Sequence, residues 1–203
     1  MGSARFNDLR RGLPRISPTI LAKRLKTLED KGLIVKEWED NGVNSKYHLT
    51  KSCEELSAVI KMIGVWGRRW VHTKFTEDEL DVGLLMWDIR RGINVDHFSK
   101  QRTVIQFDFS DLQIDESSRW WMIVSNQDVD VCNDDPGYEV DLAIDTDLVT
   151  MTKVWMGDIN VDHAMSTGEL LAYGPFKYVS TMSKWLGQSL FADVKNAGNQ
   201  LQR

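Results

Sequence analysis

Residues 17–35 read SPTILAKRLKTLEDKGLIV, and this stretch decides the fold expected for the N-terminal part of the chain. Ser17-Pro18 is typical of a helix start, because serine caps a first turn and proline at the first helical position loses no hydrogen bond. Gly32 supplies the left-handed stop that often ends a helix. Three leucines recur at i, i+4 and i+7 and predict a single apolar stripe on this helix: Leu21, Leu25 and Leu28.

The surrounding sequence predicts a helix-turn-helix followed by a β-hairpin. Upstream, Phe6, Leu9 and Leu13 indicate a short helix that ends at the break of residues 12–14. Downstream, residues 33–35 start a strand, Asn41-Gly42 is a strong hairpin signal, and residues 46–49 form the returning strand. This order is that of a winged helix-turn-helix, whose second helix enters the major groove of DNA.

The charge of the chain divides in the same way. With 30 acidic and 25 basic residues, the net charge of −5 alone argues against a nucleic-acid partner. Residues 1–72, however, hold 14 Lys/Arg and 8 Asp/Glu, a net of +6, whereas residues 73–203 hold 11 and 22, a net of −11. Such asymmetry indicates two modules with different partners.

A long amphipathic helix follows the hairpin. Its apolar face is too extensive for so small a module to bury, which favours a homodimer contact. The alternative is that the C-terminal domain covers this face. Six residues define it: Leu56, Val59, Ile60, Ile63, Trp66 and Trp70.

The N-terminal motifs resemble the HxlR-type winged-helix transcriptional regulators. They are RFNDLRRGLPRISPTILAKRLKTLEDKGLIVKE from Arg5, YHLT from Tyr47, and VWGRRW ending at Trp70. The resemblance implies a recognition helix at residues 17–31, a wing tip at 41–46 and a dimer interface on the 56–70 helix. In that family a helix or two normally precedes the Arg-Phe motif, so the domain expected at residues 1–72 lacks its first helix.

A DNA-binding surface follows from this interpretation. Thr19, Lys23 and Arg24 are expected nearest to base edges. Basic residues flanking them are expected to hold phosphates. The full predicted set for double-stranded DNA is Arg5, Arg10, Arg11, Ser17, Thr19, Lys23, Arg24, Lys26 and Lys46.

The C-terminal part has the pattern of an α+β domain. Helices are expected at residues 80–91, 147–156 and 178–191, with strands at 103–109, 119–125, 128–133, 138–145 and 169–173. Turn residues separate the middle strands, which predicts an antiparallel meander. The expected fold of the whole chain is therefore α+β with two domains, 1–72 and 80–203, joined by a junction at 73–79.

This part resembles the sterol-carrier-protein-like domains. The motifs are MWDIRRGINVDH, WWMIV, DVDVCNDDPGYEVDL, VWMGDINVDHAMSTGELLAYGP and WLGQSLFADV, in that order. Such domains enclose an apolar tunnel, so the resemblance implies a hydrophobic small-molecule ligand and a ligand-sensing regulator. Aromatic and methionine side chains suit such a lining, although plain core packing would use the same residues. The predicted ligand residues are Trp87, Trp121, Met151, Trp155 and Trp185.

Several other functions are not expected. The pentapeptide INVDH occurs at residues 93–97 and 159–163, but neighbouring Asp and His do not share a helix face. We therefore interpret Asp96 and Asp162 as helix N-caps rather than metal ligands. No phosphate loop or nucleophile motif is present, so neither catalysis, a metal nor a cofactor is predicted.

The sequence also bears on the cellular compartment and leaves a second function open. Apolar runs fall far short of the ~20 residues of a membrane span, no secretory signal is present, and Cys53 and Cys132 form no disulfide framework. A cytoplasmic protein without membrane contact is expected. The alternative function is a lipid carrier whose N-terminal module serves only for dimerisation or protein contact.

Overall fold

The computed structural model describes residues 5–13, 16–39, 44–71, 80–99, 101–112 and 118–197. The chain divides into two compact units, Met1–His72 with Val194–Arg203, and Thr73–Asp193. The predicted junction at 73–79 lies outside the described residues. Among the helices that are described, none has the length and hydropathy to cross a membrane.

The first unit has the predicted order of helix, helix, hairpin and long helix. Gly32, which follows α2, adopts a φ of 69°, as a helix stop requires. The hairpin turn at Asn41-Gly42 lies outside the described residues, and Arg5 bridges to Lys46 beside the hairpin. The elements are α1 (Phe6–Arg11), α2 (Pro18–Asp30), β1 (Ile34–Glu39), β2 (Asn44–Leu49) and α3 (Lys51–Trp70).

This unit has a small core. Leu21 and Leu25 of α2 pack with Ile34 of β1, and four partly buried side chains surround them: Phe6, Leu9, Ile16 and Tyr47. None of the residues of α3 is buried. Seven large apolar side chains of that helix, among them all six of the predicted partner-seeking face, are between 39% and 72% exposed, so that face is open to solvent.

The second unit contains helices and a five-stranded sheet. The α+β class predicted from the sequence is confirmed. Its elements are α4 (Val82–Gly92), a 3₁₀ turn (Val95–His97), β3 (Thr103–Phe109), β4 (Arg119–Ser125), β5 (Asp128–Cys132), β6 (Leu142–Thr146), α5 (Leu148–Met156), α6 (Val161–Thr167), β7 (Leu170–Tyr173), α7 (Phe176–Val179) and α8 (Met182–Trp185).

The sheet is mixed, so the prediction of an antiparallel sheet is wrong. Its strand order is β5-β4-β3-β6-β7, and β3 and β6 run parallel. The chain after β5 does not turn back in a hairpin but crosses to the other side of β3. Asp141 fixes this crossing, because its carboxylate accepts the Val104 N–H at 2.8 Å and its own N–H donates to the Val104 carbonyl at 2.9 Å.

The core of the second unit lies on one face of this sheet. Phe107 at the centre of β3 and Trp185 of α8 are both fully buried. The Trp185 indole N–H donates to the carbonyl of Tyr178 at 2.8 Å, and the ring meets Phe98 edge-on at 5.2 Å. Trp185 therefore anchors the end of the unit to its core.

The predicted closing helix at residues 178–191 is wrong. Two short helices, α7 and α8, stand there, and the backbone of Leu186 is already extended. The Trp185 carbonyl accepts the Asn94 N–H at 2.9 Å, and a Cβ at Gly187 would collide with the backbone of Gly92. The helix ends because the chain makes these close contacts instead of another turn.

Both copies of INVDH do start helical turns, but the capping residue is not the predicted one. Asn94 accepts the Asp96 N–H at 3.2 Å, and Asn160 accepts the His163 N–H at 2.7 Å. Asp96 and Asp162 lie inside the turns that they were expected to cap. Asparagine is as good a cap as aspartate, and the chain entering each turn places it at the cap position.

Replacing the cap of α6 tests this assignment. We expect Asn160→Ala to lower the free energy of unfolding by about 0.5–2 kcal/mol, because the first turn loses a side-chain acceptor. Asp162→Ala is the matched control and should cost less, about 0.3–1 kcal/mol, through the helix dipole alone. Urea unfolding followed by circular dichroism measures both, and a larger loss for Asp162→Ala would contradict the assignment.

Candidate nucleic-acid interface

Helix α2 presents a polar face to solvent. Ser17 caps the helix by accepting the Ile20 N–H at 3.3 Å, and Pro18 occupies its first position, as predicted. Because Leu21 and Leu25 point into the core, the residues half a turn away point outward. The predicted contact residues on this helix are all exposed: Thr19, Lys23, Arg24 and Lys26.

These bases differ in their availability. Lys26 forms ion pairs with Asp30 at 3.0 Å and Glu29 at 3.4 Å. The hydrogen bond to Asp30 is the main cause that raises the pKa of Lys26 above its usual value. Lys23 and Arg24 have no ion pair or side-chain hydrogen bond within the part of the chain that the structure describes. Among the described residues, Lys23 and Arg24 are therefore the cations of α2 that are free to meet DNA.

Two of the predicted bases share one carboxylate near the turn end of the hairpin. Lys46 lies 2.6 Å from one carboxylate oxygen of Glu39, and Arg5 lies 3.5 Å from the other. The hydrogen bond from Lys46, with the charges of Lys46 and Arg5, lowers the pKa of Glu39. The predicted residues Arg5 and Lys46 are thus brought together, but around a carboxylate.

The remaining predicted bases lie at the end of α1. Arg10 and Arg11 occupy its last turn and are both exposed. Cations in a last turn also interact favourably with the helix dipole. Their placement close before α2 in the chain is the one that the helix-turn-helix pattern predicted.

Sequence reasoning missed two residues of the hairpin, the exposed Trp38 and the half-buried Lys36. Trp38 of β1 is 59% exposed, and the Lys36 ammonium lies 4.0 Å from the centroid of its ring. The signal was available in the alternation of β1, which places residues 34, 36 and 38 on one face. A tryptophan at the exposed end of that face is unusual for a solvated strand.

The C-terminal unit places most of the predicted ligand residues in its interior. Met151 and Trp185 are fully buried in its core, Trp87 and Trp121 are buried, and Trp155 packs partly buried against the core. A surface pocket of about 450 Å³ has a different, more polar lining, which the sequence did not indicate: Gly157, Asp158, Ile159, Asn160, His163, Gln188, Ala192 and Asp193.

Known structures similar to this chain include an alkylsulfatase and a sterol carrier protein. The stereoselective inverting sec-alkylsulfatase Pisa1 from Pseudomonas sp. matches at 12% identity and a TM-score of 0.42, over 60% of this chain and 18% of that one. This chain thus spans less than a fifth of the alkylsulfatase. Sterol carrier protein 2 from Yarrowia lipolytica (apo form) matches at 15% identity and a TM-score of 0.38, over 55% of this chain and 93% of that one.

The sequence comparisons concern the first unit. The family described as HxlR-like helix-turn-helix matches residues 1–75. The uncharacterized HTH-type transcriptional regulator YvaP of Bacillus subtilis (strain 168) is 30% identical over 77 residues, which make up 37% of this chain and 71% of YvaP. The capped second helix, its outward-facing bases and the hairpin agree with this match, and the chain belongs to the HxlR-like helix-turn-helix family.

Proposed function

We propose that this chain is a DNA-binding transcriptional regulator that acts as a homodimer and uses α2 as its recognition helix. The observation that carries the proposal is the outer face of α2, where Lys23 and Arg24 are exposed and unpaired among the described residues. The family, and the name of its relative YvaP as a transcriptional regulator, support a role on DNA.

The α2 helix would enter the major groove, which is wide enough to admit a helix. Thr19, Lys23 and Arg24 would approach base edges from the N-terminal half of the helix, as recognition helices do. Arg10 and Arg11 at the end of α1 would hold the backbone. Lys26 would contribute less, because its ammonium must first leave Asp30 and Glu29.

Charge variants of α2 test DNA binding. We expect Lys23→Gln to weaken binding to the intergenic DNA beside its own gene. It should also reduce the magnitude of the slope of log K against log salt, by up to about 0.9, because one cation leaves the interface. Fluorescence anisotropy titrations at several salt concentrations measure both quantities.

The matched controls use the ion pairs of the same helix. Lys26→Gln should reduce affinity less than Lys23→Gln, because Lys26 is already paired. Asp30→Asn should increase affinity, because it removes a negative charge and releases Lys26. Wild-type affinity and salt slope in Lys23→Gln would contradict the role given to α2.

The apolar face of α3 is the proposed dimer contact. Residues spaced along one side of the helix, such as Ile60, Ile63 and Trp66, are 57%, 64% and 60% exposed. An exposed apolar stripe of this length is typical of an interface. Two copies of the stripe would pack by a two-fold axis, the commonest symmetry of homodimers.

A charge placed on this stripe tests the dimer. We expect Ile63→Glu to give a monomer, because a carboxylate would be buried without a partner in the interface. Lys61→Glu changes charge on the opposite side of the same helix and should remain dimeric. Sedimentation equilibrium distinguishes the two, and a monomeric wild-type chain or a dimeric Ile63→Glu would contradict this interface.

We infer a hydrophobic ligand for the C-terminal unit. The resemblance of its motifs to sterol-carrier-like domains supports this, and so does a core that contains four methionines of at most 1% exposure: Met86, Met122, Met151 and Met182. Methionine side chains adapt their shape, so such a core can rearrange around a guest. A ligand regulates DNA binding only if it binds the two conformations of the protein unequally.

Palmitic acid is a suitable probe of this ligand site. We expect it to raise the thermal midpoint of the delipidated protein, since ligand at 100 times its Kd stabilises the folded state by about 2.7 kcal/mol. A midpoint that does not move, together with no lipid detected by mass spectrometry of the purified chain, would contradict a lipid ligand. Bound lipid without salt-dependent DNA binding would favour a lipid carrier instead.

A further inference from the structure

The two faces of the β1–β2 hairpin carry different chemistry. Strand alternation places Ile34, Lys36 and Trp38 on one face, with Tyr47 directly opposite Lys36. Ile34 is buried against Leu21 and Leu25 of α2, so this face is the one on which the recognition helix packs. It is called the α2 face below.

The position of Tyr47 places the end of α2 beside the same face. Burial raises the pKa of Tyr47, and the charge of Glu29 in the last turn of α2 raises it further. From this point the α2 face continues outward through Lys36 to Trp38, which is 59% exposed. Trp38 therefore protrudes on the side of the hairpin that carries the recognition helix.

Both acids of the described hairpin residues lie on the opposite face. Glu37 pairs with His48 at 3.0 Å, and Glu39 pairs with Lys46 at 2.6 Å. The α2 face of the hairpin therefore carries the positive charge of Lys36 and, in the described strands, no acid. This sign is complementary to a phosphate backbone.

Lys36 and Trp38 also form a preorganised pair. The Lys36 ammonium lies 4.0 Å from the ring centroid of Trp38 and 5.9 Å from that of Tyr47. Cation–π attraction of this kind favours this mutual orientation of the two side chains. An exposed, oriented indole with an ammonium beside it can pack on a sugar while the ammonium binds the neighbouring phosphate.

We propose that Lys36 and Trp38 are a second DNA contact of the N-terminal unit, made on the duplex flanking the groove that α2 occupies. The proposal rests on the proposed DNA-binding function. Lys36 binds a phosphate, and Trp38 packs its indole on the adjacent deoxyribose. This assignment replaces Lys46, predicted from the sequence as the phosphate contact of the wing, because Glu39 holds Lys46 on the other face.

Four variants test the contact on a short mixed-sequence duplex by anisotropy at several salt concentrations. Lys36→Gln should reduce the magnitude of the slope of log K against log salt by about 0.9, whereas the control Lys46→Gln should leave this slope nearly unchanged. Trp38→Ala should weaken binding roughly tenfold without changing the slope, as loss of an aromatic contact does. Trp38→Phe should recover part of that loss.

A direct readout uses 5-fluorotryptophan. The fluorine resonance that disappears in Trp38→Phe identifies Trp38 in the wild-type chain, and we expect this resonance to shift when the duplex is added. Because Trp38 is exposed, its variants should keep the far-ultraviolet circular dichroism and dimeric state of the wild type. A change in dimeric state instead of DNA affinity would overturn the proposal in favour of a protein contact.

The outcomes separate this inference from the function on which it rests. If Lys23→Gln weakens binding while the Lys36 and Trp38 variants bind as wild type, the second contact is wrong and the recognition helix stands. If the wild-type chain shows no salt-dependent binding to any duplex, the proposed function fails, and this contact fails with it.

Discussion

The first unit buries too little apolar surface for the length of its helices, and its other properties depend on this constraint. Among the described residues its buried core consists of Leu21, Leu25 and Ile34. Two of these three side chains belong to α2, so the same small core that stabilises the unit also orients its outward-facing bases. Hydrophobic stabilisation scales with the apolar area removed from water. Covering the open face of α3 would therefore add more stabilising free energy than the burial of this small core contributes. In the proposed dimer, covering this face would therefore stabilise the same small unit that orients the bases of α2.

The positions of the acidic residues decide which cations are available. Counting charge over residues 1–72 gives a net of +6 and treats every base alike. In the structure Glu39 holds Lys46 and Arg5, and Asp30 with Glu29 holds Lys26. Exposed ion pairs contribute little to stability, but they do lower the charge that a base offers to a ligand. The available charge is concentrated in fewer residues, such as Lys23 and Lys36.

Local signals in the sequence were sufficient to predict most helices and strands. They were not sufficient to predict how distant strands pair. Ser17-Pro18 and Gly32 bounded α2 correctly because capping depends on residues next to the helix. The side of β3 on which β6 pairs depends instead on Asp141 reaching Val104, a contact between residues far apart in the chain. The pairing of Lys46 with Glu39 is equally invisible to periodicity, so the sequence could not show that this predicted phosphate contact has an acidic partner within the hairpin.

The chain connects the second unit to the first unit, which contains the proposed dimer helix, at both the start and the end of the second unit. The chain enters that unit just after α3 and belongs to the first unit again from Val194. The N–H of Ala197 then donates at 2.8 Å to the carbonyl of Arg69, one of the last carbonyls of α3. Those carbonyls have no partner within the helix, so this bond satisfies a group that α3 itself leaves open. For the ligand proposed above, this attachment would be a covalent route from the second unit to the end of α3. Coupling between ligand and DNA follows only to the extent that this attachment differs in free energy between the two conformations.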